Sequence, residues 1–245
     1  MFAEETVDLI RWLDQEKKEN PYSESGPWLI VSSFVNPHDI TLYGDVTKFS
    51  PSFHFAVDPT VPDVPPPPTL HESLETKPRC QQSYRDVYPL FIQPTENSSF
   101  YRRLYYQLQK NVDQQIGRVL QALRESSFYE DTIVIFTSDH GELLGAHGGM
   151  HQKWYCAYEE VIHVPFIIHN PRLFSGRESV DMLTSHVDLL PTMLGLAGID
   201  VESVQGVVRR RSHGSASFGR QGLIPDDPAR SEAGACRGTD LFHDG

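Results

Sequence analysis

The sequence predicts an α/β fold, a mostly parallel sheet flanked by helices on both faces. Three short, continuous apolar runs, at 28–35, 131–137 and 164–168, are bounded by turn or polar residues. That is the profile of strands buried on both sides. Segments with apolar residues every three to four positions, at 2–19, 99–125 and 186–197, read as amphipathic helices. Strands alternating with helices point to a layered α/β sheet. No internal repeat is present.

Each element has a local reason. In 2–19 the apolar positions Phe2, Val7, Ile10 and Leu13 recur among charges, and Asn20-Pro21 ends the run. WLIVSSFV at 28–35 lies between Gly26-Pro27 and Asn36-Pro37 and opens into His38-Asp39. From 44 to 98 the chain is Pro-rich, with Pro65 to Pro68 consecutive, so neither a regular helix nor a central strand is expected there. An excursion of this length in a compact domain is often functional and is expected to border the pocket. In 99–125 the stripe is Phe100, Leu104, Leu108, Val112, Ile116, Val119, Leu120 and Leu123, capped by Ser98 or Ser99. The final helix, 186–197, is followed by Gly198.

The 245 residues carry 21 basic and 33 acidic side chains, a net charge of −12. Such a chain has no general attraction for nucleic acid or anionic membrane, and an anionic substrate must be held by local cations or a metal. No run approaches the roughly 20 apolar residues of a membrane span. Three scattered cysteines (Cys80, Cys156, Cys236) make no disulfide framework or zinc ribbon, and the N-terminus shows no secretory pattern. A reducing, cytoplasmic compartment is slightly favoured. The charge is uneven: residues 207–245 hold six arginines and five acidic residues, so 1–206 carry −13 and the rest +1.

Ligands of α/β sheets bind beyond the carboxyl ends of strands. Two such ends are polar: Asn36-Pro37-His38-Asp39, and Ser138-Asp139-His140-Gly141-Glu142 with the loop that continues to Trp154. The oxygen of Asp139 and the imidazole of His140 suit a divalent cation. Equally, Asp139 could cap its own turn while His140 packs. Lys153 is either an anion ligand or an ordinary solvated lysine. His38 is either a catalytic or a satisfied loop histidine. His147 and His151 would share a face on a helix, but Gly148 and Gly149 argue against that helix and so against a zinc pair. Glu142, Glu159 and Glu160 are candidate general bases, the last two read as orienting neighbours or facing solvent. Cys156 reads as packing.

The stretch SDHGELLGAHGGMHQKWYCAYEEVIHVPFIIHNP (138–171) resembles the C-terminal part of the catalytic domain of the sulfatase family, metal-dependent hydrolases of the alkaline-phosphatase-like superfamily. Residues 28–40 resemble the family's middle motif. Residues 101–123 resemble the helix before its Asp-His strand, and 186–199 the stretch that closes its core. The likeness covers nearly all of 1–206, implying an alkaline-phosphatase-like α/β fold in an incomplete domain. It further implies a sulfuric ester hydrolase acting on a small-molecule sulfate monoester with a divalent metal, calcium first, with magnesium or manganese as alternatives. Asp139 would be a metal ligand, and His140 a metal ligand or a contact to the nucleophile. Lys153 would bind the sulfate or phosphate oxygens. His38 would bind the same group or protonate the leaving oxygen. His140 stands where many sulfatases carry Asn, which leans toward a phosphonate or phosphate (di)ester hydrolase.

The family's nucleophile is a formylglycine made from Cys or Ser in a Cys/Ser-x-Pro/Ala-x-Arg motif. None of the 245 residues forms that motif, and CQQSYR at 80–85 lacks the Pro/Ala and the spacing. The family's early metal-binding Asp residues are missing too. The expectation is a chain that starts partway through the domain and is inactive alone, with the formylglycine in the missing N-terminal part. The alternative of a different class is a non-catalytic, decayed or binding paralogue. After Gly206 the likeness stops. Residues 207–245 read as a disordered Arg/Gly/Ser tail, or as the product of a frameshift near 207, since permitted codons read one base forward can give sulfatase-like segments.

Overall fold

The computed structural model describes residues 2–21, 26–44, 47, 50–52, 55–91 and 99–204. The chain divides into two compact units, Met1–Gly176 and Arg177–Gly245. The tail expected at 207–245 lies outside the described residues.

In the first unit, α1 (Phe2–Glu19) buries Ala3, Thr6, Val7, Ile10 and Asp14, the face that the spacing predicts. It packs on α3 (Ser99–Glu125), whose last turns add Ala122 and Leu123 to the Val7–Ile10 cluster. Asp14 is in this core because it is paired: it accepts from Lys18 Nζ at 2.5 Å and from the Ser127 amide at 2.8 Å. Those bonds, Lys18 first, hold its carboxyl down at about 2. A depressed carboxyl stabilises the fold fully above its unfolded value of 3.8, and the gain is lost as pH falls through 2. Asp14→Asn, which mimics the protonated acid, is therefore expected to cost about 1–2 kcal/mol at pH 6. Urea unfolding at pH 6 and near pH 2 should show variant and wild type separated at the first and converged at the second.

The 27 residues of α3 span about 40 Å. The helix's N-terminal end serves a different cluster, in which Tyr101 and Leu104 pack on Ile40 of the 3-10 turn His38–Leu42. Leu104 and Leu123 of the predicted stripe are buried, whereas Phe100 is partly exposed and its neighbour Tyr101 takes the core position.

Two of the three expected strands form, and the one expectation corrected concerns the Pro-rich excursion. β1 (Val134–Thr137) and β2 (Phe166–His169) form where the apolar runs predict strands, but they pair antiparallel, Val134 opposite His169 and Thr137 opposite Phe166. The loop between these strands holds only α4 (Ala146–Gly149) and α5 (Glu159–Ile162), four residues each. Residues 28–35 are extended and alternate in burial, Leu29 and Val31 facing out, yet they have no ladder partner among the described residues. Trp28 and Ile30 turn inward onto the Val7–Leu123 cluster.

The correction is α2 (Arg79–Phe91), a helix inside the Pro-rich excursion. The prolines crowd before it and leave a stretch in which Gln81, Tyr84, Arg85 and Tyr88 form one inward face. Pro78 sits at its entry, where a missing N–H costs nothing, and Pro89 falls in its last turn.

In the second unit a 3-10 turn, His186–Asp188, leads into α6 (Leu189–Leu196). Ser185 and Asp188 form a capping box, and Gly198 ends the run at φ 71°. No helix among the described residues is long and apolar enough to cross a membrane.

Candidate active site

The polar residues that follow β1 are built on a loop of unusual backbone. Leu144, His147, Gln152 and Tyr155 all have positive φ, from 48° to 66°, and Gly145, Gly148 and Gly149 lie in the same half of conformational space. His147 is at φ 52° and ψ 62°, so α4 is broken there and His147 and His151 do not share a helix face, as the glycines predict. The loop is held by an apolar cluster of Leu74, Leu143, Ala146, Met150 and Val161, with Tyr84, Cys156 and Tyr158 packed against it. Cys156 is thus a packing residue, and burial pushes its thiol up.

Asp139 is the second residue beyond β1, and its side chain is 83% exposed. Its Oδ1 accepts from the His140 amide at 3.0 Å, the turn-capping role, which leaves Oδ2 facing His140 Nε2 at 3.5 Å. His140 Nδ1 donates to the Gly141 carbonyl at 2.8 Å, which fixes the tautomer and leaves Nε2 a lone pair in the neutral ring. A lone pair turned toward a carboxylate oxygen calls for a proton or a metal cation between them. The pair therefore fits two positions of a metal shell, and among the described residues no third His, Cys, Asp or Glu joins them.

Glu142, two residues after His140, is partly buried. Its Oε1 accepts from the Gln152 amide at 2.5 Å and from the Leu144 amide at 3.4 Å. Burial pushes its carboxyl up to about 7, against the opposing pull of those amides and of Lys153. Lys153 is half-buried and lies within the field of Glu142. His151 is buried edge-on against Tyr101, with 4.8 Å between ring centroids, and neither ring nitrogen has a hydrogen-bond partner. Burial, then the nearby Arg102, pull it down to about 4, so it is neutral at pH 7. The phenols of Tyr84, Tyr88 and Tyr105 are pushed up by burial, then by neighbouring groups that include Glu142.

His38 begins the 3-10 turn and is exposed. Among the described residues no hydrogen bond or ion pair joins its side chain to Asp139, His140 or Lys153. Glu160 does orient a neighbour, accepting from His147, and Glu159 pairs with the exposed His163. The partial burial of Glu142 and the partnership of Glu72 with His147 carry no local sequence signal, since the second pair is 75 residues apart.

Comparison with known proteins supports an alkaline-phosphatase-like α/β fold for the chain. The sulfatase family model matches residues 8–199. The chain is 33% identical over 183 residues to the uncharacterised sulfatase YidJ of Escherichia coli K12, covering 74% of this chain and 34% of that protein. It is 29% identical over 197 residues to the choline-sulfatase of Rhizobium meliloti, covering 79% of this chain and 36% of that one. A solved 2-O GAG sulfatase superposes with a TM-score of 0.61 at 25% identity, covering 82% of this chain and 41% of the other. The chain belongs to the sulfatase family. It spans about a third to two fifths of the length of these relatives.

Proposed function

We propose that the protein hydrolyses a sulfate monoester, and that Asp139, His140, Lys153 and His38 are the part of its site carried by these residues. Asp139 and His140 hold a divalent cation, calcium first, with magnesium or manganese second. Lys153 and His38 bind the anionic oxygens, and His38 protonates the leaving oxygen. The observation that supports this reading is the facing pair after β1, an exposed carboxylate oxygen 3.5 Å from an imidazole nitrogen whose partner nitrogen is tied to a backbone carbonyl. When bound, the cation supplies positive charge to oxygens that gain charge as the ester breaks. Lys153 adds a fixed charge from the strained loop. His38 is exposed, so a ligand can reach it from solvent. The nucleophile, a formylglycine in the family, comes from outside these residues, which contain no motif for it. Relatives named for choline, iduronate and 2-O GAG substrates support a small sulfated alcohol or sugar as substrate.

Calorimetric titration of the purified chain with calcium, magnesium or manganese tests the cation site. Binding at least tenfold weaker in Asp139→Ala supports it, and equal binding by both chains overturns it. Turnover of an aryl sulfate by the 245-residue chain alone would overturn the external nucleophile. A second reading, phosphonate or phosphate diester hydrolysis, is favoured by histidine at position 140. It predicts that inorganic phosphate displaces sulfate from the metal-loaded chain in a manner that Lys153→Ala abolishes. The lack of a nucleophile motif favours a non-catalytic binding paralogue, which predicts ester binding without turnover in any longer form of the protein.

A further inference from the structure

Two carboxylates bracket one imidazole in the loop before Lys153. His147 Nδ1 lies 2.5 Å from Glu72 Oε2, and His147 Nε2 lies 3.2 Å from Glu160 Oε2. The ring stacks on Tyr158 with 3.6 Å between centroids, and the side chain is only 13% exposed. A carboxylate only accepts, so both contacts are hydrogen bonds when both ring nitrogens carry hydrogen, and a neutral imidazole has one such nitrogen. The geometry calls for an imidazolium.

The two carboxylates are the groups that favour that charge. Lys77 Nζ holds the other oxygen of Glu72 at 2.8 Å and lies over the Tyr158 ring. Arg85 of α2 approaches Gly148, the next residue. The bracket thus sets His147 and Lys77 beside Glu72 and Glu160, while Arg85 pairs with Asp86. Hydrogen bonds from Lys77 and then His147 hold the Glu72 carboxyl below its usual range, so it keeps its charge where imidazoles titrate. The backbone makes the same connection. The His147 amide donates to Thr69 Oγ1 at 3.1 Å and the Gly148 amide to the Thr69 carbonyl at 3.0 Å. On the other side, the Glu160 carbonyl accepts from the Glu142 amide at 3.0 Å, in the segment that carries Asp139 and His140.

We propose that His147 is a pH-gated clasp: as an imidazolium it ties Glu72 of the Pro-rich excursion to Glu160 behind the strand-end loop, and on losing a proton to water it releases Glu160. Glu72 is the partner retained, because its contact is the shorter and Lys77 also holds it. The neutral ring then turns a lone pair toward the Glu160 carboxylate, which repels it. His147 is a positioning residue. The clasp stands independently of the functional reading above.

The test uses the ¹⁵N-labelled chain. At pH 5.5 both ring nitrogens of His147 should carry hydrogen. As pH rises and one proton is lost, hydrogen-exchange protection of the Glu142 amide, corrected for the intrinsic effect of pH, should fall at least tenfold. Glu160→Gln should abolish that step and leave the fold intact by circular dichroism. His147→Gln, which keeps one donor, should hold protection at the released level throughout. A ring with a single proton at pH 5.5 overturns the proposal. So does a titration that leaves Glu142 protection unchanged, or a step that survives in Glu160→Gln.

Discussion

Gly141→Ala is expected to destabilise the first unit by about 3 kcal/mol or more. A Cβ at this position would overlap the Glu160 carbonyl oxygen and sit 3.0 Å from its carbonyl carbon. Neither backbone is free to retreat. The Gly141 amide donates to the Val161 carbonyl at 2.7 Å, and the next amide, Glu142, donates to the Glu160 carbonyl itself at 3.0 Å. The methyl can be accommodated only by separating 140–142 from 159–161, which breaks both bonds and opens the cluster containing Leu143 and Val161. Gly117 of α3 is the control. Nothing lies within 4 Å of a Cβ there, so Gly117→Ala should stabilise by about 0.5–1 kcal/mol through helix propensity. Urea midpoints of the two variants should move in opposite directions, and a neutral Gly141→Ala would mean the strand-end loop is not held against α5.

That contact between Gly141 and Glu160 explains why the architecture of the candidate site was only partly legible in the sequence. Asp139, His140 and Lys153 stand out as candidates because they sit in one continuous polar stretch after an apolar run, where α/β sheets bind ligands. The elements that shape them come from elsewhere. Glu72 reaches His147 across 75 residues, and Tyr84 of α2 donates to the His151 carbonyl across 67. No local period or motif encodes such pairs. The helices α1 and α3 were legible because amphipathic spacing acts over many turns. α2 was not, because prolines averaged over the whole excursion hid a proline-poor stretch with its own inward face. β1 and β2 were legible as strands but not in direction, since an apolar run sets burial and says nothing of the connection that brings its partner back.

The interior of the site loop makes its own pH prediction. His151 is buried and Glu142 partly so, and desolvation moves them in opposite directions. The Glu142 carboxyl is raised from 4.5 to about 7, so between those values the folded chain holds a proton that the unfolded chain has released. Its stabilising effect is full below pH 4.5 and is lost as pH rises through 7. His151 is lowered from 6.5 to about 4, so between those values the unfolded chain binds a proton that the folded chain refuses. Its cost appears as pH falls through 6.5 and is complete below 4. Each contribution amounts to about 3 kcal/mol at its limit. In the wild type the two slopes oppose each other between pH 4.5 and 6.5, where both groups differ between states. Single substitutions should separate them in the metal-free chain. Glu142→Gln keeps an acceptor for the Gln152 amide, and relative to wild type it should gain stability as pH rises from 5 to 8. His151→Phe keeps the ring against Tyr101 and removes two nitrogens that have no hydrogen-bond partner. Relative to wild type it should gain stability as pH falls from 7 to 4. Urea unfolding of the three chains across pH 4 to 8 measures both differences. Parallel curves for either variant and the wild type would show that the corresponding group is solvated, and the loop would then lack the dry interior that sets Glu142 apart from the exposed Asp139.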